Sequence, residues 1–118
     1  MDALSDLEVW KRECRFSVQV FGLLRGCREY AFRDQLIRSS LSVPSNIAEG
    51  YERRAFRERA HFLKIAKGSC GEAWTQILIG IEAGILESSD AKELVDEARQ
   101  ISKMIGGLIR YLELKNCQ

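Results

Sequence analysis

The sequence predicts an all-α protein, an antiparallel up-down-up-down four-helix bundle whose second helix is kinked at Pro44. Three observations carry this. Apolar residues recur at three- and four-residue steps along four long stretches, the repeat that gathers them on one helix face. Glycines at Gly26 and Gly84 punctuate the stretches, and short connections make successive helices antiparallel neighbours. In 118 residues there is one proline, so helix breakers are scarce. A chain of this length forms one domain over 1–118 and buries about two-thirds of the surface its unfolded form exposes.

The first helix opens on a capping-box pattern in which Ser5 and Glu8 exchange hydrogen bonds and Leu4 staples against Val9. Its expected core stripe is Leu7, Trp10, Cys14, Ser17, Phe21 and Leu24. Val9, Phe16, Val20 and Leu23 form a second apolar stripe, roughly 110° around the helix at about 100° per residue. A single bundle core does not use both stripes fully, so the second is expected at an interface between subunits. Gly26 supplies a left-handed stop.

The second helix is expected from about Glu29 to Arg53, with Leu36, Ile37, Leu41, Ile47, Ala48 and Tyr51 apolar. Pro44 has two readings. It starts a new helix at the first-turn position, where its missing amide does no harm, or it kinks one long helix. The kink is preferred because the apolar phase from Leu41 to Ile47 continues across it. A proline in a helix interior costs roughly 3 kcal/mol, so its surroundings need to compensate.

The third helix covers about Ala55 to Ala83 on a stripe of Phe56, Leu63, Ala66, Cys70, Ala73, Trp74, Ile77 and Ile81. Phe62, Ile65 and Ile79 make a second apolar side. Gly68 and Gly71 cost roughly 1 kcal/mol each against alanine, which predicts close approach of a neighbouring helix there. Gly84 ends this helix, and Ser88 or Ser89 caps the fourth. The fourth stripe is the most regular: Ala91, Leu94, Val95, Ala98, Ile101, Ile105, Leu108, Ile109 and Leu112.

Hydrophobic residues make up 46% and charged residues 30% of the chain, an ordinary soluble balance. No apolar run approaches the ~18 residues that span a membrane. The acidic start Met-Asp-Ala-Leu-Ser-Asp is not a secretory signal, so a cytoplasmic location is expected. Cys14, Cys27, Cys70 and Cys117 are widely spaced and read as reduced thiols. Net charge is only +1, but residues 1–67 hold 13 Lys or Arg against 9 Asp or Glu, and residues 68–118 hold 5 against 8. That asymmetry points to a basic patch.

Little catalytic chemistry can be assembled. His61 is the sole histidine. Glu58-Arg-Ala-His61 has the spacing of a metal-binding helix face, but di-iron bundles use that motif twice with two further glutamates. No phosphate loop and no nucleophile–base pair is present. The expectation is a protein that is not an enzyme, with no cofactor and no metal. Residues 42–67 mimic a helix-turn-helix, yet Phe56, Leu63, Ala66 and Cys70 commit the supposed recognition helix to a core, leaving no face for a groove.

Two clusters remain. Ser45, Asn46, Glu49, Glu72, Thr75 and Gln76 are placed to form a polar layer between the second and third helices, pairing with one another and with groups freed near Pro44. Hydrogen-bond partners for Asn46 and Glu49 are expected from the third helix or a neighbouring subunit. Arg53, Arg54, Arg57 and Arg59, with Lys64 and Lys67 further on, form a basic surface suited to phosphates rather than base edges.

Ser42-Val-Pro-Ser-Asn-Ile-Ala-Glu-Gly50, then His61-Phe-Leu-Lys-Ile-Ala-Lys-Gly-Ser69, Glu72, Thr75 and Gln76, resemble the four-helix bundle family encoded in intervening sequences of large-subunit ribosomal RNA genes. The likeness extends from Leu7-Glu-Val-Trp10 to Gly106-Gly-Leu-Ile-Arg-Tyr-Leu112. Relatives include the accessory variability protein of diversity-generating retroelements. The resemblance implies a kinked second helix, a ring of five subunits and, for the retroelement branch, contact with nucleic acid and a reverse transcriptase. The near-neutral charge fits the ribosomal branch better. Two functions follow: an oligomeric accessory protein that associates with RNA or DNA, or a structural, protein-interaction module without nucleic-acid affinity.

Overall fold

The computed structural model describes residues 4–117. A 3-10 turn, Leu4–Asp6, leads into α1 (Glu8–Leu23), α2 (Tyr30–Tyr51), α3 (Phe56–Glu82) and α4 (Ser88–Asn116). The packed pairs are α1–α2, α2–α3, α3–α4 and α4–α1, the neighbour pattern of an up-down-up-down bundle. The body is a rod of 50 × 21 × 20 Å. α1 has 16 residues and α4 has 29, so α4 outruns it at the end where α2 gives way to α3. Gly26 and Gly84 have φ of 80° and 74°, a conformation that side chains with a Cβ resist, and each ends the preceding helix.

Where apolar periodicity is unbroken, expectation and structure agree. In α4 every residue of the expected stripe is buried except Leu108, which is half-buried. In α3, Leu63, Ala66, Cys70, Ala73 and Ile77 form the core face. α2 buries Leu36, Val43, Ile47 and Gly50, and Leu41, expected inside, is 41% exposed.

α1 is rotated from its expected phase. Val9, Phe16 and Val20 are 2%, 1% and 0% exposed in the chain's own core, whereas Phe21 is 47% exposed. Burial of such side chains contributes roughly 1.5–3 kcal/mol each. This corrects the assignment of Val9, Phe16 and Val20 to a subunit interface: α1 needs them to hold its own bundle. Leu23 is partly buried against the same core. The buried row is Val9, Glu13, Phe16 and Val20, and the carboxylic acid in its middle made the stripe read as an outward face.

Helix starts differ as well. Leu7 is the N-cap residue of α1 and Glu87 that of α4, and neither makes a side-chain cap. The 3-10 turn takes the place of the Ser5–Glu8 box. Nor do Gly68 and Gly71 admit a neighbour, since a Cβ on either would meet open space. The close approaches lie elsewhere. A Cβ on Gly50 would sit 3.1 Å from Phe62 Cβ, and one on Gly80 would sit 2.6 Å from the Phe32 ring.

α2 runs unbroken through Pro44, which is buried inside it, so Pro44 does not begin a new helix. Its missing amide leaves the Ser40 carbonyl without the usual partner four residues on. The Ser17 hydroxyl of α1 donates to that carbonyl at 3.3 Å, and the Ser40 hydroxyl donates to Ser17 Oγ at 3.1 Å.

Candidate functional site

The polar layer between α2 and α3 exists, with a different membership. Ser39 Oγ donates to Gln76 Oε1 at 2.7 Å, and the hydroxyls of Ser42 and Ser69 are 2.8 Å apart. Asn46 Nδ2 donates to the Ser42 carbonyl at 2.8 Å and to Ser42 Oγ at 3.0 Å. Asn46 therefore reaches α3 only through Ser42, which corrects the expectation of a direct partner there. Glu49 pairs with Arg53 of its own chain. Ser45, Glu49, Glu72 and Thr75 are exposed, and of the expected cluster only Asn46 and Gln76 enter the layer. Sequence reasoning missed Ser39, Ser42 and Ser69.

The basic residues divide by what holds them. Arg53 pairs with Glu49 Oε2 at 2.5 Å, and its guanidinium lies 4.9 Å from the Phe62 ring centroid. Arg59 Nε donates to the Arg53 carbonyl at 2.7 Å and its guanidinium stacks 5.2 Å from the Tyr51 centroid. These two bind the α2–α3 corner together. Lys64 Nζ is 2.8 Å from Glu113 of α4. Lys67 leans over Gly106, where an added Cβ would sit 3.4 Å from its Cε. Arg54 and Arg57 are exposed, and neither makes an ion pair among the described residues.

Two grooves mark the surface. One, of about 520 Å³, lies between α1 and α4 and is lined by Arg15, Gln19, Leu23, Asp90, Glu93 and Glu97. The other, of about 380 Å³, lies at the opposite end, lined by Arg57, Ala60, His61, Lys64, Glu113 and Asn116 with Cys117 at its edge. One groove is acidic and the other basic.

The sequence profile of the 23S rRNA-intervening sequence protein family matches residues 5–107. The chain belongs to that family. Among curated proteins none matches it. A solved structure from Bacteroides thetaiotaomicron, described as a protein with unknown function from the S23 ribosomal protein family, superposes with a TM-score of 0.80. It shares 19% identity, and the match covers 86% of this chain and 97% of that one. At that identity the likeness establishes the shared fold.

Among the described residues no three His, Cys, Asp or Glu gather where they could hold a metal ion. Nor is any helix among them long and apolar enough to cross a membrane. Cys14, Cys27, Cys70 and Cys117 are all free thiols. Burial pushes the Cys70 thiol up to about 12, and its Sγ donates to the Ala98 carbonyl at 3.2 Å. It is an inert core thiol.

The unexpected group is Glu13. Its side chain is 0% exposed, and neither carboxyl oxygen has a hydrogen-bond partner. Burial, with the Glu97 charge behind it, pushes its pKa up to about 9, so the group is a neutral acid at pH 7. Glu97 itself is held below the usual carboxylate range by Arg12. That guanidinium bonds it twice, Nε to Oε2 at 2.9 Å and Nη2 to Oε1 at 2.5 Å.

Proposed function

We propose that this protein is a non-enzymatic, cytoplasmic, self-associating accessory protein that holds nucleic acid through its phosphates. The observation that carries the reading is the pair Arg54 and Arg57. Both project from the α2–α3 corner without an ion pair among the described residues, while Arg53 and Arg59 brace the backbone beneath them. Exposed cations on a braced corner suit contact with phosphate and leave base sequence unread. Membership of a family named for an intervening sequence of 23S rRNA favours RNA as the natural polymer.

Self-association would serve the same reading. A ring would repeat the corner on every subunit, and weak contacts would add through effective concentration. The resemblance suggests five subunits. Exposed Val18, Phe21 and Leu41 on α1 and α2, at 70%, 47% and 41% exposure, replace Val9, Phe16 and Val20 as the interface. That apolar edge equally favours the second reading, a protein-interaction module without nucleic-acid affinity.

Titration of labelled RNA separates the two. Binding is expected to be sequence-tolerant and to fall steeply with salt, because released counterions supply its free energy. Replacing Arg54 and Arg57 with glutamine should abolish it. No binding at low salt, or equal binding by the double variant, rejects the nucleic-acid reading and leaves the interaction module.

A further inference from the structure

The basic groove is more than a charged surface, because its walls carry different chemistry. Arg57, His61 and Lys64 follow one another at a full turn on α3, so their side chains share one face. Ala60 forms the floor and is 3% exposed. Its small side chain leaves the hollow open. Across it, α4 presents Glu113 and Asn116. One wall donates to anions, and the facing wall accepts from hydroxyls.

We propose that this hollow binds one phosphate–ribose unit of RNA, with Arg57 and His61 on the phosphate and Glu113 and Asn116 on the ribose hydroxyls. Lys64 acts as a positioning residue, since its 2.8 Å ion pair holds the Glu113 carboxylate in place. A carboxylate paired with one ammonium keeps further lone pairs for other donors. The 2′-hydroxyl is the group that distinguishes RNA from DNA at a given site, and a carboxylate facing it is a direct means of reading it. The volume of about 380 Å³ lies within the range of small-ligand sites, roughly 300–1,000 Å³. The larger groove between α1 and α4 is unsuited to the same ligand, because Asp90, Glu93 and Glu97 line it and repel phosphate. The inference rests on the nucleic-acid reading and narrows it to RNA.

The test uses the whole protein and uridine 5′-monophosphate, with the His61 ring signals followed by NMR at low salt. The chain has one histidine, so the reporter is unambiguous. A saturable shift is expected. Deoxyuridine 5′-monophosphate should bind about tenfold more weakly, the loss of one hydrogen bond to a charged acceptor. Arg57→Gln should remove the shift, and Glu113→Gln should erase the ribose preference while the phosphate-dependent shift persists. Equal affinity for the two nucleotides, a shift reproduced by inorganic phosphate alone, or no shift at all overturns the proposal. Arg54 lies outside the groove, so Arg54→Gln should weaken long RNA and leave the mononucleotide shift intact. Salt-sensitive RNA binding with unmoved His61 signals would sink the groove and spare the wider reading.

Discussion

The Ser17 hydroxyl of α1 donates to the Ser40 carbonyl of α2, the one carbonyl in that helix that Pro44 deprives of its ordinary partner. Ser17 is 5% exposed and Ser40 1%, so water does not stand in. The proline defect and its remedy lie on different helices, and their meeting fixes the register of α1 on α2.

Ser17→Ala should therefore destabilise the protein by about 1–3 kcal/mol, the cost of an unsatisfied buried acceptor. In a Pro44→Ala background the helix amide returns, and the same substitution should lose most of its effect. Urea denaturation of the four variants gives the coupling. Purely additive effects would show that Ser17 does not act on the carbonyl freed by Pro44.

Glu13 makes stability depend on pH with a definite sign. Its pKa is raised in the folded state from 4.5 to about 9, so the folded chain binds more protons there than the unfolded chain. Stability is full below the unfolded value, and falls as pH rises toward the folded one. Linkage puts the loss near 3 kcal/mol at pH 7. Glu13→Leu should raise stability at pH 8 and flatten its slope between pH 5 and 9. Identical slopes for the two proteins would refute this.

Glu97 works in the opposite direction. Arg12 lowers its pKa, so its contribution is present above the unfolded value and is lost as pH falls through the folded one. Glu97→Gln removes that acid sensitivity and also takes away a negative charge that raises Glu13. The alkaline transition of Glu13 should then move to lower pH. Carboxyl NMR of Glu13 in both proteins checks the direction.

Charge placed on the two faces of α1 should have different outcomes. Val20→Glu puts a second acid into the core and should unfold the chain, because Val20 is 0% exposed. Val18→Glu lies on the outer edge and should leave a helical protein that no longer self-associates. Light scattering paired with circular dichroism separates the two. An unmodified chain that is monomeric at micromolar concentration removes the self-association proposal.

The fold was legible where periodicity and charge agreed. α4 carries no acidic residue on its buried stripe, so its face could be read directly. On α1 the row Val9, Glu13, Phe16, Val20 runs through a carboxylic acid. Any reading that keeps charge in water turns that row outward, because burial as a neutral acid depends on the three helices around it. The α2–α3 polar layer was visible through Asn46 and Gln76. Its serines were not, because a hydroxyl carries little pattern of its own. Gly50 and Gly80 were less conspicuous than the Gly68 and Gly71 pair, although they make the close contacts, since proximity depends on crossing points that periodicity does not contain.

α1 is the shortest of the four α-helices, and it carries Glu13, a buried carboxyl group with no hydrogen-bond partner. α2, α3 and α4 are consecutive and share the larger contact surfaces, so they are expected to stay together if α1 lifts. A sub-global opening in which α1 alone exchanges its amide protons is therefore expected. Each such opening hydrates Glu13 and lets it ionise, so alkaline solution favours the opened form. Amide exchange at α1 should accelerate with pH beyond its chemical rate, while the innermost amides of α4 keep to the slower global clock.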